Sequence, residues 1–376
     1  MDLRTDMILF TPGPVQIDPA RYARIPQLHH RTAPFRKIVL ETGRMLAELC
    51  GSAAPAFLFA SSGTGAMEAV IANCAPPGTR VLVVAGGKFG RRWAEIAEVF
   101  GCEVDLLSFE PGREIDPEAV VGRARETGPD LRALTHVESS TGLLAGIGAI
   151  ADGLGPDGPL VARDAIASVG SETVEMDRWG IDLLAGAGQK ALAAPAGVSF
   201  VIASERAREA ARRAGHPRYY FSFERFEAGE RTGDTPFTPA VASVQLMHDS
   251  LRVTGGTGFA SVLQRHERSS GAVEAALAAL GFSRFPERPS CSVQAFLPPE
   301  GLEAEKVIED LAGKHGVLCA GGQDRLRGRI IRIGFPGIYS GATLERLVRG
   351  FSAVVHSDPS ASLDCLAPVR DMASLF

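Results

Sequence analysis

The chain has 376 residues, of which 45 % are hydrophobic and 22 % charged, a composition typical of a globular protein large enough for two domains. A formal net charge of −5 excludes the basic surface that nucleic acids or anionic membranes require, so neither partner is expected. No run approaches the roughly 20 apolar residues needed to span a bilayer.

Six scattered cysteines, without C-x-x-C or Cys/His metal spacing, favour free thiols in a reducing compartment. The segment 1–6 is too acidic and too poor in apolar residues for a signal peptide. We therefore expect a cytoplasmic, soluble enzyme with no metal site.

Short apolar strands alternate with longer helices through the first two thirds of the chain. An N-terminal arm over 1–16, stiffened by prolines, comes first. Strands are predicted at 56–60, 80–84, 102–108, 131–137, 159–163, 182–186 and 198–203, with helices at 64–73 and 91–100 between them. This alternation predicts an α/β large domain over 17–256, with a mostly parallel sheet covered by helices.

The pattern changes after Arg218. The stretch 219–239 is irregular, aromatic and charged, which predicts a loop. Two helical patterns at 240–254 and 257–280 follow, and then strands near 291–297, 316–320 and 329–334. We predict a smaller C-terminal α+β domain over 257–356, followed by a tail over 357–376 whose packing no pattern defines.

Lys190 and Asp164 carry the strongest chemical signal. Asp164 closely follows an apolar run, and Lys190 lies among alanines and glycines, where a solvated charge is not expected. Each residue alone would be read as a surface charge. Together they offer an amine that forms a Schiff base with an aldehyde and a carboxylate that keeps a pyridine nitrogen protonated. These are the two groups that pyridoxal 5'-phosphate requires, so we predict this cofactor.

Three loops at strand ends could complete such a site. Ser61-Ser62-Gly63-Thr64-Gly65 joins a strand to a helix and can bind phosphate, although taken alone a capped turn is the better explanation. Phe89, after a glycine pair, can stack on a flat cofactor or pack in the core. Ser139, in Glu138-Ser139-Ser140-Thr141-Gly142, can meet a ligand at a strand's carboxyl end or form a Ser/Thr turn.

Arg332 lies in an apolar strand, Ile330-Ile331-Arg332-Ile333-Gly334. Burying its charge without an anion is costly, and its planar fork matches a substrate carboxylate. On local evidence, a functional role and a structural role explain Arg332 equally well. His136, beside Glu138, is interpreted as structural because no nucleophile accompanies it.

Taken in order, these segments resemble the class V, fold-type I pyridoxal-phosphate aminotransferases, above all the alanine–glyoxylate and serine–pyruvate enzymes. The matching segments are Thr11-Pro12-Gly13-Pro14, Ser62-Gly63-Thr64, Gly87-Lys88-Phe89-Gly90, Glu138-Ser139-Ser140-Thr141-Gly142, Asp164-Ala165, Gly188-Gln189-Lys190-Ala191-Leu192, Thr238-Pro239 and Arg332-Ile333-Gly334.

The resemblance implies a role for each matching residue. Lys190 would carry the cofactor and move the substrate proton, and Asp164 would pair with the pyridinium nitrogen. Phe89 and Ile166 would cover the two ring faces. The phosphate would bind Ser62, Gly63, Thr64 and Gln189, while Ser139 would lie near the substrate and Arg332 would bind its carboxylate.

The resemblance also implies a homodimer whose active site is shared, with the segment 235–239, including Thr238, completing the partner's phosphate site. Three residues depart from the family pattern: Arg163 stands where an apolar residue is common, Gly188 where a serine is usual, and Phe237 where some relatives have threonine. Arg163 could alter the charge of Asp164, and Phe237 affects the partner contact.

The expected activity is transfer of an amino group from alanine, serine or aspartate to glyoxylate or pyruvate. One alternative is a lyase or desulfurase of the same fold, although desulfurases typically place a histidine where Gln189 stands. Another alternative is a non-catalytic binding subunit, which would need neither Lys190 nor Asp164.

Overall fold

The computed structural model describes residues 7–155, 158–334 and 339–376. Its strands are β1 (Ile8–Leu9), β2 (Ala56–Phe59), β3 (Arg80–Ala85), β4 (Glu103–Ser108), β5 (Leu131–Thr135), β6 (Val137–Glu138), β7 (Leu143–Leu144), β8 (Leu160–Asp164), β9 (Leu183–Ala187), β10 (Ser199–Ala203), β11 (Ser283–Arg284), β12 (Val293–Leu297), β13 (Val317–Leu318), β14 (Ala320–Gly321) and β15 (Ile331–Gly334).

Its α-helices are α1 (Pro19–Arg24), α2 (Ala33–Leu49), α3 (Gly63–Cys74), α4 (Lys88–Val99), α5 (Pro117–Thr127), α6 (Ile147–Leu154), α7 (Glu205–Ala214), α8 (Phe223–Glu227), α9 (Val241–Thr257), α10 (Phe259–Ala279), α11 (Ala304–His315), α12 (Gly341–Val354) and α13 (Ser360–Asp364). Two 3-10 helices cover Asp324–Leu326 and Ala367–Val369. None of the described helices is long and apolar enough to cross a membrane.

The central sheet has seven strands in the order β2-β10-β9-β8-β5-β3-β4. Strands β4, β3, β5, β8 and β9 run parallel, and β10 is antiparallel to both of its neighbours. The predicted α/β class with a mostly parallel sheet is confirmed, and the architecture is that of fold type I. The carboxyl ends of the parallel strands share one edge, where ligands bind in such sheets.

Side chains alternate between the two faces of this sheet and build a core on each. Leu82, Leu134 and Leu184 pack on one face with Leu46 of α2. The opposite face contains Val83, Ala133 and Leu183, packed against Met67 of α3 and Trp93 of α4. Covering both faces explains why the strands are apolar throughout, as parallel strands usually are.

The C-terminal region contains a four-stranded antiparallel sheet in the order β11-β12-β15-β14. Helices α10, α11 and α12 cover it around a core that includes Leu277, Phe296, Ile333 and Leu347. The N-terminal arm joins this region, because Ile8 and Leu9 pair in parallel with β13. The proposed domain limits, 17–256 and 257–356, remain predictions; α9 gives way to α10 at Gly258.

Two segments have more structure than the sequence predicted. The stretch 219–239 is not entirely loop, because α8 lies within it and buries Phe223 against the sheet. The tail 357–376 forms α13 and a 3-10 helix, and it buries Leu366 and Val369 in the C-terminal core. These contacts join residues distant in sequence, so no local hydrophobic periodicity predicts them.

Candidate active site

The N-terminal arm crosses directly over Lys190, which follows β9. Lys190 Nζ donates a hydrogen bond to the carbonyl of Pro12 at 2.7 Å. A Cβ atom on Gly13 would lie 2.6 Å from Lys190 Cδ, and the φ of Gly13 is +132°. A glycine is therefore required here both for conformation and for space.

Arg21 of α1 anchors the loop that carries Lys190. Its guanidinium donates to the carbonyl of Ala193 at 2.8 Å and to Ser250 Oγ at 2.6 Å, and it pairs with Asp249 at 3.1 Å. Ala193 is a non-glycine residue with φ +47°, so its backbone conformation needs support of this kind. No local pattern indicates this role of Arg21, since Arg21 lies 172 residues from Ala193.

Asp164 ends β8 at the carboxyl edge of the sheet and is almost fully buried. One carboxylate oxygen accepts the backbone N–H of Ile166 at 2.9 Å, and the other accepts the Thr135 hydroxyl at 3.4 Å. Burial, together with the charge of Glu138, raises the pKa of Asp164 to about 7, while these hydrogen bonds and Lys190 oppose the shift. A carboxylate in this position gains from a cationic partner such as a protonated ring nitrogen.

The same environment activates Lys190. Burial lowers the pKa of its amine to about 8; the charge of Asp164 opposes this shift, and the charges of Arg332 and Arg92 add to it. At neutral pH a substantial fraction of the amine is therefore neutral and nucleophilic.

The predicted residues converge on one cavity of about 120 Å³. Nine of the eleven site residues predicted from the sequence line it: Ser62, Gly63, Thr64, Phe89, Ser139, Asp164, Ile166, Gln189 and Lys190. Met67, Val137, Ala167 and Arg92 complete the described lining, and the sequence analysis had assigned no role to any of these four. Lys190 and Asp164 thus face one space although 26 residues separate them.

One end of the cavity suits a phosphate. Ser62 is the N-cap of α3 but makes no side-chain cap hydrogen bond, so backbone N–H groups at this helix start are available to an anion. A Cβ on Gly63 would lie 2.5 Å from Ile166 Cδ1, so only glycine leaves this space open.

Glu138 fixes the residue that would cover one ring face. Its carboxylate accepts the backbone N–H groups of Phe89 at 3.0 Å and Gly90 at 2.9 Å, at the start of α4. It also accepts the Ser140 hydroxyl at 2.5 Å. The sequence analysis assigned Glu138 no role, yet this carboxylate at a helix N-terminus holds Phe89 at the cavity wall.

Arg332 lies beside the cavity but does not line it. In β15 it is 6 % exposed, and it donates to the carbonyl of Gly321 at 2.8 Å and to that of Ser139 at 2.8 Å. These contacts join the small sheet to the loop after β6. Burial lowers the pKa of Arg332, and the charge of Glu138 opposes that shift.

Thr238 is exposed and lies outside the cavity of its own chain. Phe237 stacks on Tyr220, with ring centroids 4.9 Å apart and planes inclined by 10°. The hydroxyl of Thr235 donates to the Phe237 carbonyl at 2.8 Å, and Arg31 donates to the Thr235 carbonyl at 2.9 Å. The segment 235–239 is therefore held in a defined conformation away from this cavity.

One departure from the family pattern has a structural explanation, and another does not affect Asp164 as expected. A Cβ on Gly188 would lie 2.8 Å from Val198 Cγ1 and 3.0 Å from Ala194 Cβ, so glycine follows from close packing. Arg163 points to the sheet face opposite Asp164, since neighbouring strand residues alternate. Arg163 is not among the groups that shift the pKa of Asp164, so the expected tuning is not supported.

His136 is buried with its ring 5.5 Å from that of Trp179, and burial lowers its pKa to about 3. A neutral, packed imidazole fits the structural role predicted for it.

The sheet, the lysine and the aspartate at one cavity define a pyridoxal-phosphate enzyme of fold type I. The family model for class-V aminotransferases matches residues 20–324, and the chain belongs to this family. It is therefore a pyridoxal-phosphate-dependent transaminase.

Three similar proteins illustrate the range of this family. The chain is 32 % identical to the soluble hydrogenase 42 kDa subunit of Anabaena cylindrica, over 93 % of each chain. It is 29 % identical to the L-aspartate–glyoxylate aminotransferase of Paracoccus denitrificans, over 88 % of this chain and 86 % of the relative. The structure of the ureidoglycine–glyoxylate aminotransferase of Bacillus subtilis superimposes with a TM-score of 0.91 at 27 % identity, covering 98 % of this chain and 99 % of that one.

The lowered pKa of Lys190 predicts how cofactor capture depends on pH. The neutral amine is the nucleophile, so the capture rate should rise with pH up to about 8 and then level off. Mixing apoenzyme with pyridoxal 5'-phosphate at different pH values, followed by visible absorption, measures this rate. A model lysine peptide corrects for titration of the cofactor itself. A rate that still climbs beyond pH 9 would show that the lysine is not perturbed.

Proposed function

We propose that this transaminase moves the amino group of a small amino acid (alanine, serine or aspartate) to a small 2-oxo acid, glyoxylate or pyruvate. The observation that carries the proposal is the shared cavity of Lys190 and Asp164, with Arg332 beside it. The Paracoccus relative is named for aspartate and glyoxylate, which agrees with these substrate classes.

Each residue has a defined task in this proposal. Asp164, deprived of solvent, holds a proton on the ring nitrogen by pairing with it. Phe89 and Ile166 cover the two faces and exclude water. When bound, the cofactor supplies an electron sink that makes the substrate Cα–H acidic. Lys190 Nζ would take and hold that proton, because its lowered pKa leaves part of the amine neutral near pH 7.

The positions of the thiols and acids support a lyase or desulfurase less well than a transaminase. None of the described cysteines lines it. Burial raises the pKa of Cys74 and of Cys291 to about 12, so neither is a ready nucleophile. Gln189 stands where desulfurases typically place a histidine. No second acid is available in the described lining to assist a leaving group.

A non-catalytic binding subunit is the other alternative, and the Anabaena relative carries the name of a hydrogenase subunit. A scaffold would have no need to bury a lysine and an aspartate in one cavity, because burying charges is costly. The pair Lys190 and Asp164 therefore favours catalysis.

The function can be tested in a single turnover. Adding an amino donor alone to the loaded enzyme should release about one equivalent of 2-oxo acid per site, because the amino group stays on the cofactor until an acceptor arrives. Absorption spectra and oxo-acid release follow the reaction, and Lys190→Ala is the control that should release none. Continuous turnover of donor without acceptor, with ammonia or carbon dioxide formed, would identify a lyase.

Arg332 is proposed to bind the substrate carboxylate. Arg332→Lys keeps the charge but loses the fork, so kcat/KM should fall by the equivalent of about 1.5–3 kcal/mol, with cofactor affinity unchanged. Arg329→Lys, at a neighbouring exposed position, is the matched control. Equal kinetics for the two variants would remove Arg332 from the substrate site, and equal loss of cofactor binding would show a structural role only.

The active form is proposed to be a homodimer with a shared site. A groove of about 680 Å³ runs between α2, β2 and the segment 226–235. Beside it, Tyr219 is 65 % exposed and Tyr220 38 % exposed, and exposed aromatic patches of this kind mark protein interfaces. The adjoining Thr238 would then reach the partner's phosphate site.

Subunit mixing tests the shared site. Lys190→Ala and Thr238→Arg homodimers should each be inactive. A re-equilibrated one-to-one mixture should regain about a quarter of wild-type activity, because half the dimers then carry one intact site. No regained activity would mean that Thr238 serves its own chain or no site at all.

A cytoplasmic location is also proposed. All six cysteines are free thiols, which a reducing compartment preserves.

A further inference from the structure

Arg92 is the charged residue of the cavity lining that has no task in the scheme above. It lies on α4 three residues after Phe89, so the two side chains share a helix face. Its guanidinium lies 4.7 Å from the centre of the Phe89 ring and donates to Thr64 Oγ1 at 3.2 Å. Arg92 therefore connects the proposed ring-stacking residue to the proposed phosphate-binding loop.

The charge of Arg92 is not neutralised by the protein. Its hydrogen-bond acceptor, Thr64 Oγ1, belongs to a neutral hydroxyl, and across the described ranges of the chain Arg92 forms no ion pair. The guanidinium also lies near the start of α3, which carries a partial positive charge from the helix dipole. An anion between these two positive groups would be stabilised by both of them.

The other proposed phosphate contacts are uncharged. Ser62, Gly63, Thr64 and Gln189 offer N–H and hydroxyl groups, whereas a phosphate monoester carries about −1.5 to −2 charges at pH 7. The partial charge of a helix N-terminus, about +0.5, leaves most of that charge unbalanced. In the proposed arrangement Lys190 faces the reacting atoms and Asp164 faces the ring nitrogen, so neither residue neutralises the charge of the phosphate.

We infer that Arg92 is a phosphate-binding residue that donates to the cofactor phosphate while it keeps its hydrogen bond to Thr64. The five N–H donors of an arginine allow both contacts in one geometry. This role rests on the proposed placement of the phosphate at Ser62, Gly63 and Thr64. With this role, Arg92 provides much of the enzyme's preference for pyridoxal 5'-phosphate over pyridoxal.

Comparing two ligands that differ only in the phosphate tests this role without measuring catalysis. Dissociation constants of pyridoxal 5'-phosphate and of pyridoxal are measured by absorption titration of the apo forms of the full-length enzyme. Arg92→Met should weaken pyridoxal 5'-phosphate binding by about tenfold to a hundredfold, as expected for a charge-assisted hydrogen bond, and leave pyridoxal binding unchanged. Arg91→Met, at the adjacent exposed position, should alter neither constant.

The other outcomes distinguish this inference about Arg92 from the proposed position of the phosphate, on which it rests. If Arg92→Met weakens both ligands equally, Arg92 acts through Phe89 or the fold, and the inference is wrong. If the variant keeps the full wild-type preference for the phosphorylated ligand, Arg92 does not bind phosphate although the loop does. If the wild type itself shows no preference, the phosphate placement fails and Arg92 with it. Should Arg92→Met not fold, Arg92→Gln measured in the same way gives the same comparison.

Discussion

The structure depends on keeping two opposite charges, Lys190 and Asp164, away from water at one edge of a parallel sheet. Burial pushes the pKa of the lysine down to about 8 and that of the aspartate up to about 7. Each group partly offsets the desolvation of the other, and neither is fully satisfied by protein partners. Because protein partners do not fully stabilise either group, the cavity favours a ligand that offers an aldehyde to Lys190 and a basic ring nitrogen to Asp164.

Maintaining the pair requires support from distant parts of the chain. The arm places the Pro12 carbonyl against the lysine amine, and β1 fixes the arm by pairing with β13 of the C-terminal region. Arg21 holds the lysine loop from the other side through the Ala193 carbonyl, and its guanidinium lies 4.8 Å from the ring of Phe376. Helix α1 and the C-terminal Phe376 therefore meet beside the loop that carries Lys190, which gives the C-terminal tail a structural reason to be ordered.

Glu138 and Arg332 connect the site to the rest of the molecule. Glu138 positions Phe89 through the first turn of α4, and Arg332 bridges the Ser139 carbonyl and β14. Both are buried charges, and each shifts a neighbour's pKa, so electrostatics and geometry are coupled here. A substrate carboxylate bound at Arg332 would therefore also affect the backbone at Ser139, because Arg332 donates a hydrogen bond to the Ser139 carbonyl.

The sequence by itself determined the sheet class and most strand positions, because these follow from local signals. The resemblance to a known family supplied cavity residues such as Ile166 and Gln189, which no local pattern indicates. Apolar runs define buried strands, and glycines with hydroxyls mark the turns at their ends. Only the tertiary structure decided which distant groups complete the site. Arg21, Arg92 and Glu138 act through contacts between segments far apart in sequence, and Gly188 is required by packing against Val198. Such contacts have no period and no motif, since they depend on the spatial order of strands rather than on their order along the chain.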